Sequence, residues 1–221
     1  SVAKEIVQVN DRKTSVVVDL STIGLAAAQD IDKIFTDAEI TYIDAPVSGG
    51  RKGAIAGTIA IMGSGPKDVF DAHMDVFKAF AKNPFHVGET PGQGQVVKML
   101  NNFLSATATT ATTEAVLFGL SQGVEMKAIL DVVNVSTGMN TASLDKFPNQ
   151  IMTENFNAGF FTKLLAKDVR LFRENSDKAG TPNAIATLVS KIFDGCEQDM
   201  PGSDFTVVYK YIRDGGEKKI G

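Results

Sequence analysis

Residues 95–122 read QVVKMLNNFLSATATTATTEAVLFGLSQ. No proline and a single glycine, Gly119, fall in this stretch, so it predicts one helix of roughly 40 Å at about 1.5 Å per residue. Residues 105–113 within it are all Ala, Thr or Ser. That composition is not chosen for helix propensity; its small side chains let other helices approach closely. The stretch separates two kinds of sequence. Upstream, to about Pro91, short apolar runs alternate with amphipathic segments. Val16–Asp19 is a β-branched run ending at Ser21-Thr22, and apolar residues recur at helical spacing over 26–35. Residues 42–45 form a second strand stopped by Pro46, and 58–62 a third stopped by Gly63-Ser64-Gly65-Pro66. Residues 69–80 read as a helix. Downstream, helices are expected at 126–135, 164–179, 184–198 and 205–213, with almost no strand signal.

The expected fold class is therefore α/β followed by all-α, with residues 1–91 as one domain and 92–221 as a helical domain entered by the long helix. Three or four strands with few covering helices leave an edge or a face of the sheet exposed. This predicts that a partner half of the sheet lies outside the chain.

Composition narrows the function classes. Of 221 residues, 43% are hydrophobic and 22% charged, enough for a packed core. The formal charge is −4 without a block of like charges, so the chain offers no footprint for a phosphate backbone, and nucleic acid is not an expected partner. No apolar run approaches the ~18 residues that span a bilayer, and no membrane partner is expected. Cys196 is the one cysteine and cannot form an internal disulfide. His73 and His86 have no ligand-type residue at metal spacing, so no metal is expected. The seven methionines sit at core-like positions and read as packing.

Three clusters could carry chemistry. The turn Asp44-Ala-Pro-Val-Ser-Gly-Gly50 places a strand end, a hydroxyl and two flexible residues in succession. It reads either as a loop that needs positive φ angles or as a concave anion site that suits a carboxylate. Gly92-x-Gly94-x-x-x-Lys98-x-x-x-Asn102 opens the long helix, with Lys98 and Asn102 on one face. On an inward face, burial would lower the lysine pKa into the range for proton exchange with a hydroxyl or carbonyl oxygen. On an outward face, both side chains would meet the same water. The two glycines imitate the start of a dinucleotide turn, but Val97 stands where a third glycine is needed and only a very short strand is expected before them, which makes a weak phosphate cradle. Lys167-Asp168, on a predicted helix, reads by itself as a surface ion pair.

Taken in order, Asp19-Leu20-Ser21-Thr22-Ile23, the 44–50 turn, the motif from Gly92 to Asn102 and Lys167-Asp168 resemble the β-hydroxyacid dehydrogenase family. That family includes 3-hydroxyisobutyrate dehydrogenase, tartronate semialdehyde reductase and relatives of 6-phosphogluconate dehydrogenase. The resemblance covers roughly residues 16–214. It departs at the front, where family members carry a strand, a glycine-rich dinucleotide turn and a second strand. The chain is thus expected to hold the C-terminal half of a Rossmann-like domain and the helical domain that follows it.

The resemblance implies NAD or NADP as cofactor and a small β-hydroxy acid as substrate, interconverted with its semialdehyde or keto acid by hydride transfer. It assigns Lys98 as the acid/base, Asn102 to orienting the substrate, and Ser48, Gly49 and Gly50 to the substrate carboxylate. Thr22 is assigned to the nicotinamide ribose, Lys167 to the cofactor side of the site, and Asp168 to holding Lys167 or its helix. Residues 136–140, including Asn140, and Ser143 are assigned to the substrate tail. Two alternatives stand beside this reading: an enzyme like 6-phosphogluconate dehydrogenase, for which the helical region is short, and a non-catalytic oligomerisation module. Imine-reducing relatives usually lack the lysine, so Lys98 argues against them. A homodimer or homotetramer packed through the small-residue helix is expected, in the cytoplasm or the mitochondrial matrix. Without the dinucleotide turn, the chain alone is expected to bind the cofactor weakly.

Overall fold

A computed structural model describes residues 2–220 and divides the chain into two compact units, one ending at Leu100 and the other starting at Asn101. In the first unit the order is α1 (Val2–Val7), β1 (Val16–Asp19), α2 (Leu25–Thr36), β2 (Thr41–Asp44), β3 (Val47–Ser48), α3 (Gly50–Ala56), β4 (Ile59–Ser64), α4 (Lys67–Ala72), α5 (Met74–Lys78) and β5 (Ala81–Gly88). Helix α6 (Gln93–Ser121) starts in this unit and runs on into the second.

β1 and β2 are parallel and in register from Val16 opposite Thr41 to Asp19 opposite Asp44, so both strands end on an aspartate at the same edge. Parallel neighbours need a crossover, and α2 supplies it. Tyr42 points to the side where Ala28 and Phe35 of α2 pack, its ring stacked on Phe35 at 5.7 Å. Ile43, the next residue, points to the other side, into a cluster with Ile59, Ile61, Phe70 and Phe77. This alternation is the period-two signature of a strand with both faces covered. The sheet is mixed: β4 pairs antiparallel with β2 and β3 and parallel with β5, so among the described residues β1, β3 and β5 each have one paired neighbour.

Four sequence expectations change here. β4 does not stop at Met62 but runs through Gly63 to Ser64. Gly63 belongs to the strand because the Phe70 ring packs against its Cα; a Cβ there would lie 2.7 Å from Phe70 Cδ2. The helix expected over 69–80 is two short helices broken at His73, whose φ of −101° leaves the helical region. β5 is eight residues long, not a very short strand. Pro84 hides it in the sequence and is tolerated because an edge strand has one side without ladder bonds. The 44–50 segment also holds the two-residue β3 and leads directly into α3.

The second unit is helical: most of α6, then α7 (Met126–Val133), a π-helix (Ala142–Ile151), α8 (Thr162–Lys178), α9 (Ala184–Asp199), a 3₁₀ turn (Phe205–Val207), α10 (Val208–Arg213) and a final 3₁₀ segment (Gly216–Ile220). Its main core joins Ala106 of α6, Leu165 and Val169 of α8, Ile192 and Phe193 of α9, and Val208 and Ile212 of α10. A second cluster gathers Val116, Leu130, Phe147, Ile151 and Tyr209. The π-helix escapes a sequence reading because Pro148 lies inside it and has no N–H for a regular helical ladder. Among the described residues, no helix is long and apolar enough to cross a membrane. The architecture is the expected α/β region followed by an all-α region.

Candidate functional site

The first unit gathers its candidate residues around the carboxyl ends of β1 and β2. Asp44, the last residue of β2, is fully buried. Its Oδ2 accepts from the backbone N–H of Gly92 (3.1 Å) and of Gln95 (3.0 Å) and from the Ser64 hydroxyl (3.0 Å). Ser64 Oγ in turn accepts from the N–H of Gly94 at 2.9 Å. The exposed donors at the start of α6 are thus capped by groups from two strands, and a carboxylate there also suits the positive end of the helix. Burial pushes the Asp44 carboxyl above its ordinary range, against the opposing pull of hydrogen bonds from Gln95, Ser64 and Gly92.

Gln95, fully buried as well, extends this cap to the loop after β1. Its Nε2 donates to Asp44 Oδ1 (2.6 Å) and to the Ser21 carbonyl (2.9 Å), and its Oε1 accepts from the N–H of Ile23 (2.9 Å) and Gly24 (3.0 Å). Thr22, half-buried, lies between these tied residues. Gly94 is required for this close approach, since a Cβ would clash with the Met62 carbonyl oxygen and lie 2.8 Å from Asp44 Oδ2. The two glycines that imitate a dinucleotide turn therefore serve helix docking. The N–H groups a phosphate would need are already bonded, so the weak-cradle reading stands on a different reason than a short preceding strand. Lys98, one turn beyond Gln95 on the same helix, is buried at 7% exposure. Of the two settings open to it in the sequence, the structure gives the inward one.

Ser48 ends β3, half-buried, and Gly49 and Gly50 follow with φ of +134° and +59°. Both angles favour glycine. A Cβ on Gly49 would press on Ile59, at 3.1 Å from Cγ2, whereas one on Gly50 would meet nothing within 4 Å. The turn is tight against the sheet on one side and open on the other.

In the second unit, Asn102 is buried and its Nδ2 donates to Asp168 Oδ2 at 2.6 Å. Lys167 Nζ lies 2.9 Å from the other carboxylate oxygen, with Asp168 buried and Lys167 39% exposed. The surface ion pair read from the sequence is corrected: its acidic member is buried, and it holds Asn102 as well as Lys167. Asn140 and Ser143 close the first turn of the π-helix. Asn140 Oδ1 accepts from the N–H of Ala142 (2.8 Å) and Ser143 (3.1 Å), and the buried Ser143 Oγ accepts from the N–H of Asn140 at 3.0 Å. Asn140 also borders a cavity of about 230 Å³ with Thr112, Ala115, Val133 and Gly138.

The residues missed in the sequence are Gln95 and Ser64, together with the capping role of Asp44. The signal available was that Asp44 and Gln95 each stand inside a motif already singled out.

Residues 92–212 match the family described as NAD-binding of NADP-dependent 3-hydroxyisobutyrate dehydrogenase, and residues 2–88 match the NAD binding domain of 6-phosphogluconate dehydrogenase. The chain is 33% identical over 181 residues to 2-(hydroxymethyl)glutarate dehydrogenase of Eubacterium barkeri, covering 82% of this chain and 60% of that one. It is 31% identical over 203 residues to the NAD-dependent L-serine dehydrogenase of Pseudomonas aeruginosa, covering 89% and 68%. Among solved structures it is similar to Mycobacterium tuberculosis 3-hydroxyisobutyrate dehydrogenase with L-serine, at a TM-score of 0.84 and 27% identity over 91% of this chain and 71% of that one. The chain spans about three fifths of the length of the first of these curated relatives and about two thirds of the second.

Proposed function

The chain belongs to the β-hydroxyacid dehydrogenase family, and from that premise we propose that the whole protein is an NAD(P)-dependent oxidoreductase interconverting a small β-hydroxy acid with its semialdehyde or keto acid. The observation that carries the proposal is the burial of Lys98 on a helix whose start is locked to the strand ends by Asp44 and Gln95. A lysine set in that way donates a proton as the ammonium and accepts one as the neutral amine, from a defined position, which acid/base catalysis requires.

The residues present fit the nicotinamide end of the cofactor. The Ser21–Gly24 loop follows the carboxyl end of a parallel strand, the edge of an open sheet where nucleotides bind, and its backbone is fixed by Gln95. The α6 N-terminus does not fit a pyrophosphate, because its donors are taken. When bound, the nicotinamide supplies the acceptor or donor of hydride.

This chain's residues then position the substrate and handle its proton. Ser48, Gly49 and Gly50 hold the carboxylate on the open side of their turn, which fixes which carbon is presented. Lys98 Nζ takes the hydroxyl proton in oxidation and returns one to the carbonyl oxygen in reduction. Asn102, its amide oriented by Asp168, aligns the substrate. Thr22 and Lys167 serve the cofactor, with Asp168 fixing Lys167, and Asn140 and Ser143 shape the region of the substrate tail. Leu104, Ala111, Ala115 and Phe118 recur on one exposed face of α6, which supports self-assembly as a homodimer or homotetramer.

The test is nicotinamide reduction by protein expressed from the complete reading frame, with both cofactors and a panel of glycerate, 3-hydroxyisobutyrate, 3-hydroxypropionate and serine. Lys98→Ala should lower kcat by about 10²-fold or more while substrate affinity stays near wild type. A variant within a few fold of wild type refutes the assignment of Lys98.

A further inference from the structure

The Gln95 side chain has two hydrogen-bond donors and an oxygen that accepts two bonds, and all of this capacity is in use. Three of the four partners are backbone groups of the loop after β1, namely the Ser21 carbonyl and the Ile23 and Gly24 N–H groups. The fourth is the Asp44 carboxylate. Rotating the amide by half a turn would set N–H against N–H at Ile23 and Gly24 and oxygen against oxygen at Asp44 and Ser21, so one orientation is allowed. Asp44 itself cannot move independently, because its other oxygen takes the N–H groups of Gly92 and Gln95 and the Ser64 hydroxyl.

We infer that Gln95 is a positioning residue: its amide, anchored on Asp44, fixes the loop that carries Thr22 relative to the helix turn that carries Lys98. The inference rests on the proposed function for the roles of Thr22 and Lys98, but the clamp itself rests on bonds within the first unit. It predicts that the two parts of the reaction assigned to this unit, cofactor placement and proton transfer, are set by one side chain that touches neither ligand.

Glutamate at this position keeps the size and the acceptor oxygens but removes both donors, and at neutral pH it sets two carboxylates against each other. In the full-length protein, Gln95→Glu should lower kcat by about 10²-fold, the scale of a 1 Å misplacement of reacting groups, while KM for the hydroxy acid changes little. The deficit should ease toward acid pH, where the pair of carboxyls retains a shared proton and a donor returns. The double variant Asp44→Asn with Gln95→Glu restores a donor and acceptor at that contact and should recover at least tenfold of the loss. A second measurement needs no variant and no turnover. By amide hydrogen exchange in the wild type, Ile23 and Gly24 should be as slow as Gly94 and Gln95, because one opening of the clamp frees them all.

Fast exchange at Ile23 and Gly24 beside slow exchange at Gly94 overturns the clamp. So does a Gln95→Glu variant with unchanged kcat, or a double variant no better than the single one with no acid recovery. A wild type that turns over no substrate with either cofactor would instead overturn the dehydrogenase reading, and the exchange comparison would still decide the clamp.

Discussion

Gly94 and Gly119 are both glycines inside α6, and on helix propensity alone replacing either with alanine should stabilise the protein by about 1 kcal/mol. In both places the added Cβ runs into a neighbour, but the neighbours differ. At Gly119 it meets the terminal methyl of Ile129, which can rotate away. At Gly94 it meets the Met62 carbonyl oxygen and, at 2.8 and 3.1 Å, the carboxylate and main-chain oxygens of Asp44. Strand backbone does not yield, so the start of α6 must back off by about 1 Å to reach an ordinary contact. Bonds of 2.9 to 3.1 Å from Gly92, Gly94 and Gln95 to Asp44 and Ser64 then lengthen to near 4 Å, beyond any useful hydrogen bond. Bonds to charged groups are worth about 1.5–3 kcal/mol each. Losing two of them, less the propensity gain, predicts that Gly94→Ala destabilises by about 2–5 kcal/mol. Gly119→Ala should stay within about 1 kcal/mol of wild type. Urea unfolding followed by circular dichroism reads the difference: at a slope near 2 kcal/mol/M, the Gly94→Ala midpoint falls by roughly 1–2.5 M. Equal midpoints for the two variants would refute the claim that the helix start is locked to the strand backbone.

Other outcomes follow from the same geometry. The folded state holds the Asp44 proton more tightly than the unfolded chain does, because burial raises its carboxyl above the ordinary 3.8. Its contribution to stability is therefore full below that value and is lost as pH rises through the folded pKa. The stability difference between wild type and Asp44→Asn, from urea midpoints across pH 3 to 8, should shrink as pH rises; a gap that widens would contradict the sign. Cys196 is buried and its thiol is pushed up to about 12, so Ellman's reagent should label it only on unfolding, and rapid labelling of native protein would contradict its placement. Phe118, 69% exposed on α6, should be an assembly residue. Sedimentation of Phe118→Glu should show a smaller species than wild type, and an unchanged species would remove that face from the assembly.

The elements legible in the sequence are those whose signal is local. Val16–Asp19 and the helix after it show their periods, and α6 shows itself by the absence of proline over 28 residues. Lys98 and Asn102 are visible as a pair because four residues make one helical turn. What was hidden depends on partners far along the chain. Pro84 looks like a strand breaker until β5 is known to be an edge, and Gly63 looks like a turn until Phe70 is seen to occupy the space of its side chain. Asp44 and Gln95 are separated by 51 residues, and Asn102 and Asp168 by 66. No period or spacing announces such pairs, and residue type alone leaves Asp168 looking like any exposed acid.

β1 is held from two directions. The strand hydrogen-bonds to β2 on one side, and the loop that leaves it is gripped from the helix side by Gln95. The β2 ladder sets the strand, and the Gln95 amide sets the loop that leaves it. The loop after β1 and the start of α6 therefore behave as one mechanical piece: a displacement of either reaches the other through the Gln95 amide and the Asp44 carboxylate.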